Sequence, residues 1–355
     1  MDAPLNPKDL SGELTPLVAS RPSLFANPNR VLLAEVGGRW GEYADLLKES
    51  QIHACLQVRK LALTGLPWHV EGPAGVAGSE ATAIADRLRD LDLPSLMGAL
   101  MDAVILGFKV AEVIWRAEGE EWIPAEIKVR PNDRFAFDAE GALMGLDGRG
   151  GAPKPLPERY KFLVATWGPR DGNRYGSGLG EMLYYLAWFK RENLKFWLIF
   201  NDKHAFPTPV GTLPEGASED EMLRLRDRLA RLRDESVIVL RRGAEVRYLE
   251  ADRAGSIETF HALIEFCNAE IAKVILGQTL TTQTPRDGAG ASYALGRVHN
   301  AVREDIRSGD AAWMESLMDR LLGWMVGARL GERAGRFRFR FDARAASGAS
   351  GEGGE

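Results

Sequence analysis

Apolar residues recur at helical spacing on both sides of a polar segment in the last third of the chain. In residues 257–276 most apolar positions lie three or four residues apart, which predicts an amphipathic helix. A second helical pattern runs from about Ser292 to Ala328. The polar segment between them, residues 279–291, contains glycines and a proline and has almost nothing to bury. A long loop of this kind inside a domain is typical of a functional contact, here with something that moves.

The first half of the chain mixes helical and alternating patterns. Helices are predicted over residues 41–66, 79–90 and 95–106, and strands over residues 68–72, 107–116, 122–129 and 134–137. The Gly/Pro-rich residues 148–157 predict a loop. Residues 41–175 are therefore interpreted as one mixed α+β domain, and the residues before them as an extended lead-in.

A small module is predicted between two long helices. The first long helix covers residues 179–204 and is ended by Pro207 and Pro209. The module that follows, residues 207–250, has the pattern of a β-α-β-β unit. Its predicted elements are a strand at residues 209–213, a helix with a capping box of Ser218 and Glu221, and a hairpin of residues 236–240 and 245–249.

Three arginines of the helix in this module, Arg224, Arg228 and Arg231, share one face. Basic residues on one face could contact phosphates, but the acidic residues at the start of the same helix offset their charge. A solvated or protein-contacting face is therefore the preferred interpretation.

Composition and charge limit the classes of function that the chain could have. The chain has 355 residues, a net charge of -5 and two cysteines, Cys55 and Cys267. An acidic balance disfavours tight DNA binding by a monomer, whereas loose passage of DNA through a mildly acidic assembly stays open. Two cysteines fit a reducing cytoplasm better than a disulfide framework. We expect no signal peptide, since the N-terminus lacks basic and apolar regions, and no apolar run reaches the roughly 20 residues of a membrane span.

Candidate catalytic chemistry is sparse in this sequence. None of the five histidines has the spacing of a metal site, and His261 lies four residues before Glu265, which predicts a local ion pair. Residues 176–180 are rich in glycine, but Glu181 stands where a dinucleotide fingerprint needs a further glycine. A flexible loop that leads into a helix is the preferred interpretation of these glycine-rich residues.

The five histidines without metal-site spacing are His53, His69, His204, His261 and His299.

An enzyme remains one alternative for the N-terminal domain. Its carboxylates could hold a metal ion for nucleic-acid processing, although they lack a recognised spacing. The residues concerned are Asp102, Glu112, Asp133 and Asp138. A monomeric adaptor or interaction protein is a second alternative. Our preferred expectation is a protein without a catalytic residue, a bound metal or a cofactor.

Several segments in a fixed order resemble one protein family. They are residues 166–179, Ala205-Phe206-Pro207-Thr208-Pro209-Val210-Gly211, residues 256–277, Gln278-Thr279-Leu280-Thr281-Thr282 and Ala291-Ser292-Tyr293-Ala294. Together they are similar to portal proteins of tailed bacteriophages, of the Mu-like type often found in prophages. The resemblance covers about residues 40–342 and does not extend to the crown that follows the last helix in many relatives.

The resemblance implies an α+β fold of portal type with named parts. Residues 1–175 would form most of the wing, with an arm up to about residue 40, and residues 293–342 a crossing helix that returns to it. The stem helices would be residues 176–206 and 253–277, the clip residues 207–252 and the tunnel loop residues 278–292. The composition of residues 343–355 predicts a disordered tail.

The resemblance also implies a function and partners. Portal subunits form a ring, normally of twelve, at one capsid vertex, where DNA is packaged and ejected. The implied partners are further copies of the chain, the terminase large subunit, a head-completion or adaptor protein, the major capsid protein and double-stranded DNA without sequence specificity. No membrane partner is implied, and the protein would be found in the virion and, during assembly, in the host cytoplasm.

Two groups of residues follow as candidate sites. Arg224, Arg228 and Arg231 would form the partner contact of the clip. The channel residues would be Lys273, Thr281, Thr282, Gln283, Thr284 and Arg286.

Overall fold

The computed structural model describes ten stretches of the chain: residues 24–73, 78–119, 121–147, 151–169, 172–204, 208–231, 245–249, 254–278, 289–330 and 336–342. The α-helices in these stretches are α1 (Trp40–Ala44), α2 (Ser50–Thr64), α3 (Gly78–Arg89), α4 (Leu93–Leu100), α5 (Ala103–Leu106), α6 (Gly180–His204), α7 (Glu219–Arg231), α8 (Ala254–Leu276) and α9 (Ala289–Leu330). The strands are β1 (Trp68–Glu71), β2 (Phe108–Glu118), β3 (Glu121–Arg130), β4 (Phe135–Phe137), β5 (Leu143–Gly145), β6 (Lys154–Pro155), β7 (Phe162–Thr166), β8 (Thr208–Thr212), β9 (Glu245–Leu249) and β10 (Arg338–Phe341).

The chain divides into two compact units. The larger unit combines Met1–Tyr185 with Ala269–Glu355, and the smaller unit is Leu186–Asn268. The larger unit contains an antiparallel sheet of order β3-β2-β7 and a second sheet of order β4-β5-β6. Phe108 at the start of β2 lies at the centre of its core, with edge-on ring contacts to Trp40, Phe137 and Tyr175.

The long helix α9 covers the edge strand β7. The indole nitrogen of Trp313 donates to the carbonyl of Thr166 at 2.8 Å, and the guanidinium of Arg320 donates to the carbonyl of Val164 at 2.6 Å. Side chains of α9 thus satisfy backbone carbonyls that an uncovered edge would offer to another strand.

The last strand ties the end of the chain back to its first half. β10 pairs antiparallel with β1, and Phe339 stacks on Trp68 at 5.1 Å. Carboxylates of α9 accept the outward backbone N–H groups of β10: Asp319 from Phe339 at 2.7 Å and Glu315 from Phe341 at 2.9 Å. The outer edge of β10 is therefore closed to further pairing.

The smaller unit contains most of α6 and α8 and the sheet β8-β9. Asn193 on α6 donates from its side-chain amide to the carbonyl of Phe260 on α8 at 2.7 Å, and Trp197 stacks on the ring of Phe260. The predicted capping box is confirmed, since Glu221 accepts from the backbone of Ser218 at 3.2 Å and donates its own N–H to the hydroxyl of Ser218 at 3.3 Å.

Most predicted helices and strands are present, but several details differ from the predictions. The apolar helix over residues 95–106 is two helices, α4 and α5, and the loop over residues 148–157 contains the short strand β6. β7 was not predicted, because its sequence is a continuous apolar run without alternation and it is buried for most of its length. Residues 236–240 lie outside the described residues, and the strand β9 pairs with β8.

The glycine-rich residues before α6 are closely packed, so the prediction of a flexible loop is wrong. Gly176 has φ +71°, and a Cβ atom there would overlap with the carbonyl oxygens of Gly107 and Trp167. A Cβ atom on Gly178 would overlap with the backbone of Gly107 and Ile105, and the N–H of Leu179 donates to the carbonyl of Val104 at 2.8 Å. Two backbones meet here at a distance that only glycine permits, and this contact fixes the start of α6.

Candidate subunit interface and partner surfaces

Large apolar side chains are exposed on two sides of α6 within the smaller unit. At 100° per residue, Trp188, Phe189, Phe196 and Ile199 lie on one side of the helix, and we call these four residues the first stripe. Leu194 and Leu198 lie on nearly the opposite side, and we call them the second stripe. Phe196 is 57% exposed and Leu198 is 70% exposed. Ile257, Leu263 and Phe266 on α8 are exposed as well.

Nine large apolar side chains of α6 and α8 are thus exposed within the described part of the smaller unit. Single exposed apolar residues are common, but clusters of large ones mark sites where another protein binds. A helix that presents apolar residues on two sides can contact one partner on each side. The structure identifies the residues of α6 and α8 that carry this exposed apolar surface.

The structure describes few of the predicted channel residues. Lys273 is exposed and pairs with Glu270, one turn earlier on α8. Thr281, Thr282, Gln283, Thr284 and Arg286 lie outside the described residues. Two boundaries of the predicted loop are corrected. Gln278 is only 4% exposed, so its side chain lies in the core of the larger unit, and Ala289 already begins α9.

The predicted arginine face of the small module lies on α7. Arg224 and Arg228 are exposed, and Arg224 also donates to the carbonyl of Asp220 at 3.2 Å. The backbone of Arg231 is helical, while its side chain lies outside the described part. Arg226, on another side of the helix, pairs with Asp227 at 2.9 Å. Leu225 packs toward Gly211 of β8, and the exposed arginines Arg224 and Arg228 lie to one side of this packing face of α7.

The structure shows what surrounds each of the four carboxylates of the enzyme alternative. Asp102 pairs with Lys60 at 2.6 Å, and Asp138 accepts backbone N–H groups of its own turn. Glu112 pairs with Arg130 at 2.6 Å and Lys161 at 2.7 Å. Burial raises the pKa of Asp133. Among the described residues, no group of three potential metal ligands is present.

Glu112 has a structural role in the larger unit, where its buried carboxylate pairs with two cations. Burial by itself raises the pKa of this carboxyl, but the hydrogen bonds and charges of Lys161 and Arg130 outweigh burial and hold the pKa below its ordinary value. The carboxylate therefore remains charged between two cations, and its geometry is that of a structural ion pair.

The histidines whose side chains are described have local partners. His261 lies 3.6 Å from Glu265, which confirms the predicted ion pair. His69 lies between Asp342, at 2.6 Å, and Glu71, at 3.4 Å.

None of the described helices has the length and hydrophobicity that a bilayer-spanning segment requires.

No sequence pattern indicated the pair of Arg59 and Asp310. The two residues are 251 positions apart in the chain, yet their side chains form a buried ion pair. Each residue looks like an ordinary surface charge of a helix when read in the sequence. Only the tertiary structure brings them together.

The fold of this chain is shared with chains in solved structures of gene transfer agent particles. It is similar to a chain in the neck of a native gene transfer agent particle computed with C12 symmetry, with a TM-score of 0.60 and 15% identity over 93% of this chain and 89% of that one. A chain from the virion of a native gene transfer agent particle has a TM-score of 0.61, with 15% identity over 92% of this chain and 96% of that one. The predicted α+β fold of portal type is confirmed.

The chain belongs to the family described as the portal protein of Mu bacteriophage, whose model matches residues 40–349. It is 29% identical to the Mu-like prophage FluMu protein gp29 of Haemophilus influenzae over 321 residues, which is 86% of this chain and 59% of that protein. It is 26% identical to the portal protein of Escherichia phage Mu over 313 residues, 84% of this chain and 60% of that protein. The chain thus spans about three fifths of the length of these two relatives.

Proposed function

We propose that the chain is a subunit of a portal ring, the head–tail connector at a capsid vertex through which DNA is packaged and ejected. The observation that carries the proposal is the exposure of large apolar side chains on two sides of α6 in a member of the portal family. The family is one of structural proteins, and two of the four carboxylates of the enzyme alternative, Asp102 and Glu112, are held in ion pairs with cationic side chains.

Ring symmetry explains why one helix needs two apolar sides. In a closed ring of more than two copies, each subunit contacts its neighbours through two different surfaces. The first stripe of one subunit would lie toward one neighbour, and the second stripe would lie toward the other. Burial of these side chains between copies would remove apolar area from water, which favours association by about 25 cal/mol per Å². A ring of twelve subunits is the number that the resemblance to portal proteins implies.

The parts of the ring are assigned by the same proposal. Residues 1–175 and 293–342 would form the wing, residues 176–206 and 253–277 the stem, and residues 207–252 the clip. Thr281, Thr282, Gln283, Thr284 and Arg286 would face the channel. Lys273 on the stem has its charge offset by Glu270, so this part of the wall would hold phosphates weakly, as passage of DNA requires.

The proposal predicts that the purified chain forms uniform annular particles. Negative-stain microscopy should show rings with a central opening, and light scattering should give the mass of many subunits. The same experiment distinguishes the ring from the monomeric adaptor. A monomer mass at tens of micromolar, without annular particles in the images, would contradict the proposal.

The clip arginines are expected to contact a partner in the virion or the packaging motor. Replacing Arg224, Arg228 and Arg231 by Ala should leave ring formation unchanged, because exposed charges on α7 add little to folding. Binding of the terminase large subunit or of the head-completion protein should weaken roughly tenfold, because rim charges steer association. Pull-down and titration with both partners would measure this loss.

Arg226→Ala is the matched control, since this arginine lies on another side of the same helix. It should change neither the ring nor partner binding. If rings of the triple variant bind both partners as tightly as wild-type rings do, the assignment of this face is contradicted.

A further inference from the structure

We propose that Arg59 is a positioning residue that fixes the end of α8 against α9, and that the ring needs this anchor to retain DNA, because these two helices precede and follow the proposed channel residues in the chain. The inference rests on the proposed portal function. It concerns the buried site formed by Arg59, Asp310 and the carbonyl of Ile275, which we call the anchor.

A single guanidinium joins three helices at the anchor. Its Nε and one terminal nitrogen donate to the two carboxylate oxygens of Asp310 on α9, at 2.5 and 2.7 Å. Its other terminal nitrogen donates to the carbonyl of Ile275 near the end of α8, at 3.2 Å. The guanidinium also lies over the ring of Trp167, with its central carbon 4.8 Å from the ring centre. The side chains of Arg59 and Asp310 are 8% and 1% exposed.

The chain leaves α8 in direct contact with α9. Gly277 has φ +68°, and a Cβ atom there would lie 2.9 Å from Val302 and 3.3 Å from Ile306. Val302 and Ile306 precede Asp310 by eight and four residues, so all three lie on one face of α9. Gln278, the next residue, is buried. The end of α8 is therefore held to α9 in two places. Gly277 packs against Val302 and Ile306, and the anchor lies at Asp310, one turn further along α9.

The chemistry of the anchor favours a geometric role over a gain in stability. Two buried charges lose their hydration, so a buried ion pair is often no more stabilising than apolar side chains of similar volume. The bond to Ile275 is different, because the last carbonyls of a helix have no partner within the helix. An apolar pair could fill the same space, but it could not bind that carbonyl. What the ion pair adds is a fixed distance between α8 and α9.

The test replaces the anchor by apolar side chains in the variant Arg59→Met/Asp310→Leu. We expect intact rings and a Tm within a few degrees of wild type, because the volume is kept and no charge is left unpaired. Phage heads assembled with this variant should retain several-fold less DNA. Lys60→Met/Asp102→Leu is the control, since it removes a neighbouring ion pair of α2 that does not involve Ile275 or α9, and it should retain DNA normally.

Hydrogen exchange provides a second readout on the purified protein, independent of DNA. The N–H of Gly277, which donates to the carbonyl of Lys273 at 2.9 Å, should exchange about tenfold faster in Asp310→Asn and in the double variant. Amides of β2 should be unchanged. Unchanged exchange at Gly277, normal DNA retention, or loss of folding in the double variant would each overturn the positioning role. A wild-type chain without rings would overturn the proposed function but leave the exchange test valid.

Discussion

Leu198→Glu and Phe196→Glu are each expected to convert rings into monomers without unfolding the subunit. Both side chains are largely exposed in the single chain, so a glutamate there stays in water and changes the stability of the monomer by about 0.5 kcal/mol or less. In a ring the same carboxylate would be buried without a partner at every interface. The cost of an unpaired buried charge is several kcal/mol per site, which exceeds what a lateral contact between helices can offset.

The measurement is the particle mass by size exclusion with light scattering, together with negative-stain images. Leu61→Glu on α2 is the matched control, because Leu61 is 68% exposed and the chemical change is the same. It should leave the rings intact. One variant from each stripe is needed, because a ring requires both sides of α6. Full-size rings of the Leu198 variant would show that the second stripe is not part of the subunit interface. Full-size rings of both variants would contradict the proposal that subunits associate through the two sides of α6.

Gly178→Ala is expected to prevent folding of the larger unit. The added methyl group would overlap with the backbone nitrogen of Gly107 and the backbone oxygen of Ile105, neither of which can turn aside as a side chain could. Displacing the backbone would break the bond from Leu179 to Val104 that begins α6. We expect a loss of more than about 4 kcal/mol, which approaches the whole stability of a typical domain. Soluble yield and the thermal midpoint would report this loss.

The control is the same substitution at Gly98 in α4, where an added Cβ meets nothing within 4 Å. Alanine is the better helix former, so Gly98→Ala should be neutral or stabilising by up to about 1 kcal/mol. A Gly178→Ala chain that melts with the wild-type midpoint would show that the two backbones can separate at little cost, against the packing described for this junction.

Local patterns in the sequence were sufficient for the elements whose signals lie within a few residues of each other. The helical spacing of α6, α8 and α9 and the capping box of Ser218 and Glu221 were read correctly for this reason. β7 was missed because a strand buried for most of its length has no alternation to detect. Gln278 was placed in a polar loop, since polarity alone does not reveal that this residue is buried.

The sequence by itself determined the family and the α+β order of elements, because helical period, turn residues and the order of similar segments are all local properties. Only the tertiary structure decided what the glycines before α6 contact, which apolar residues of α6 stay in water, and that Arg59 meets Asp310 across 251 positions. The physical reason is the same in each case. Close packing, residual exposure and buried charge pairing depend on what lies nearby in space, and one residue's type does not specify its distant neighbour.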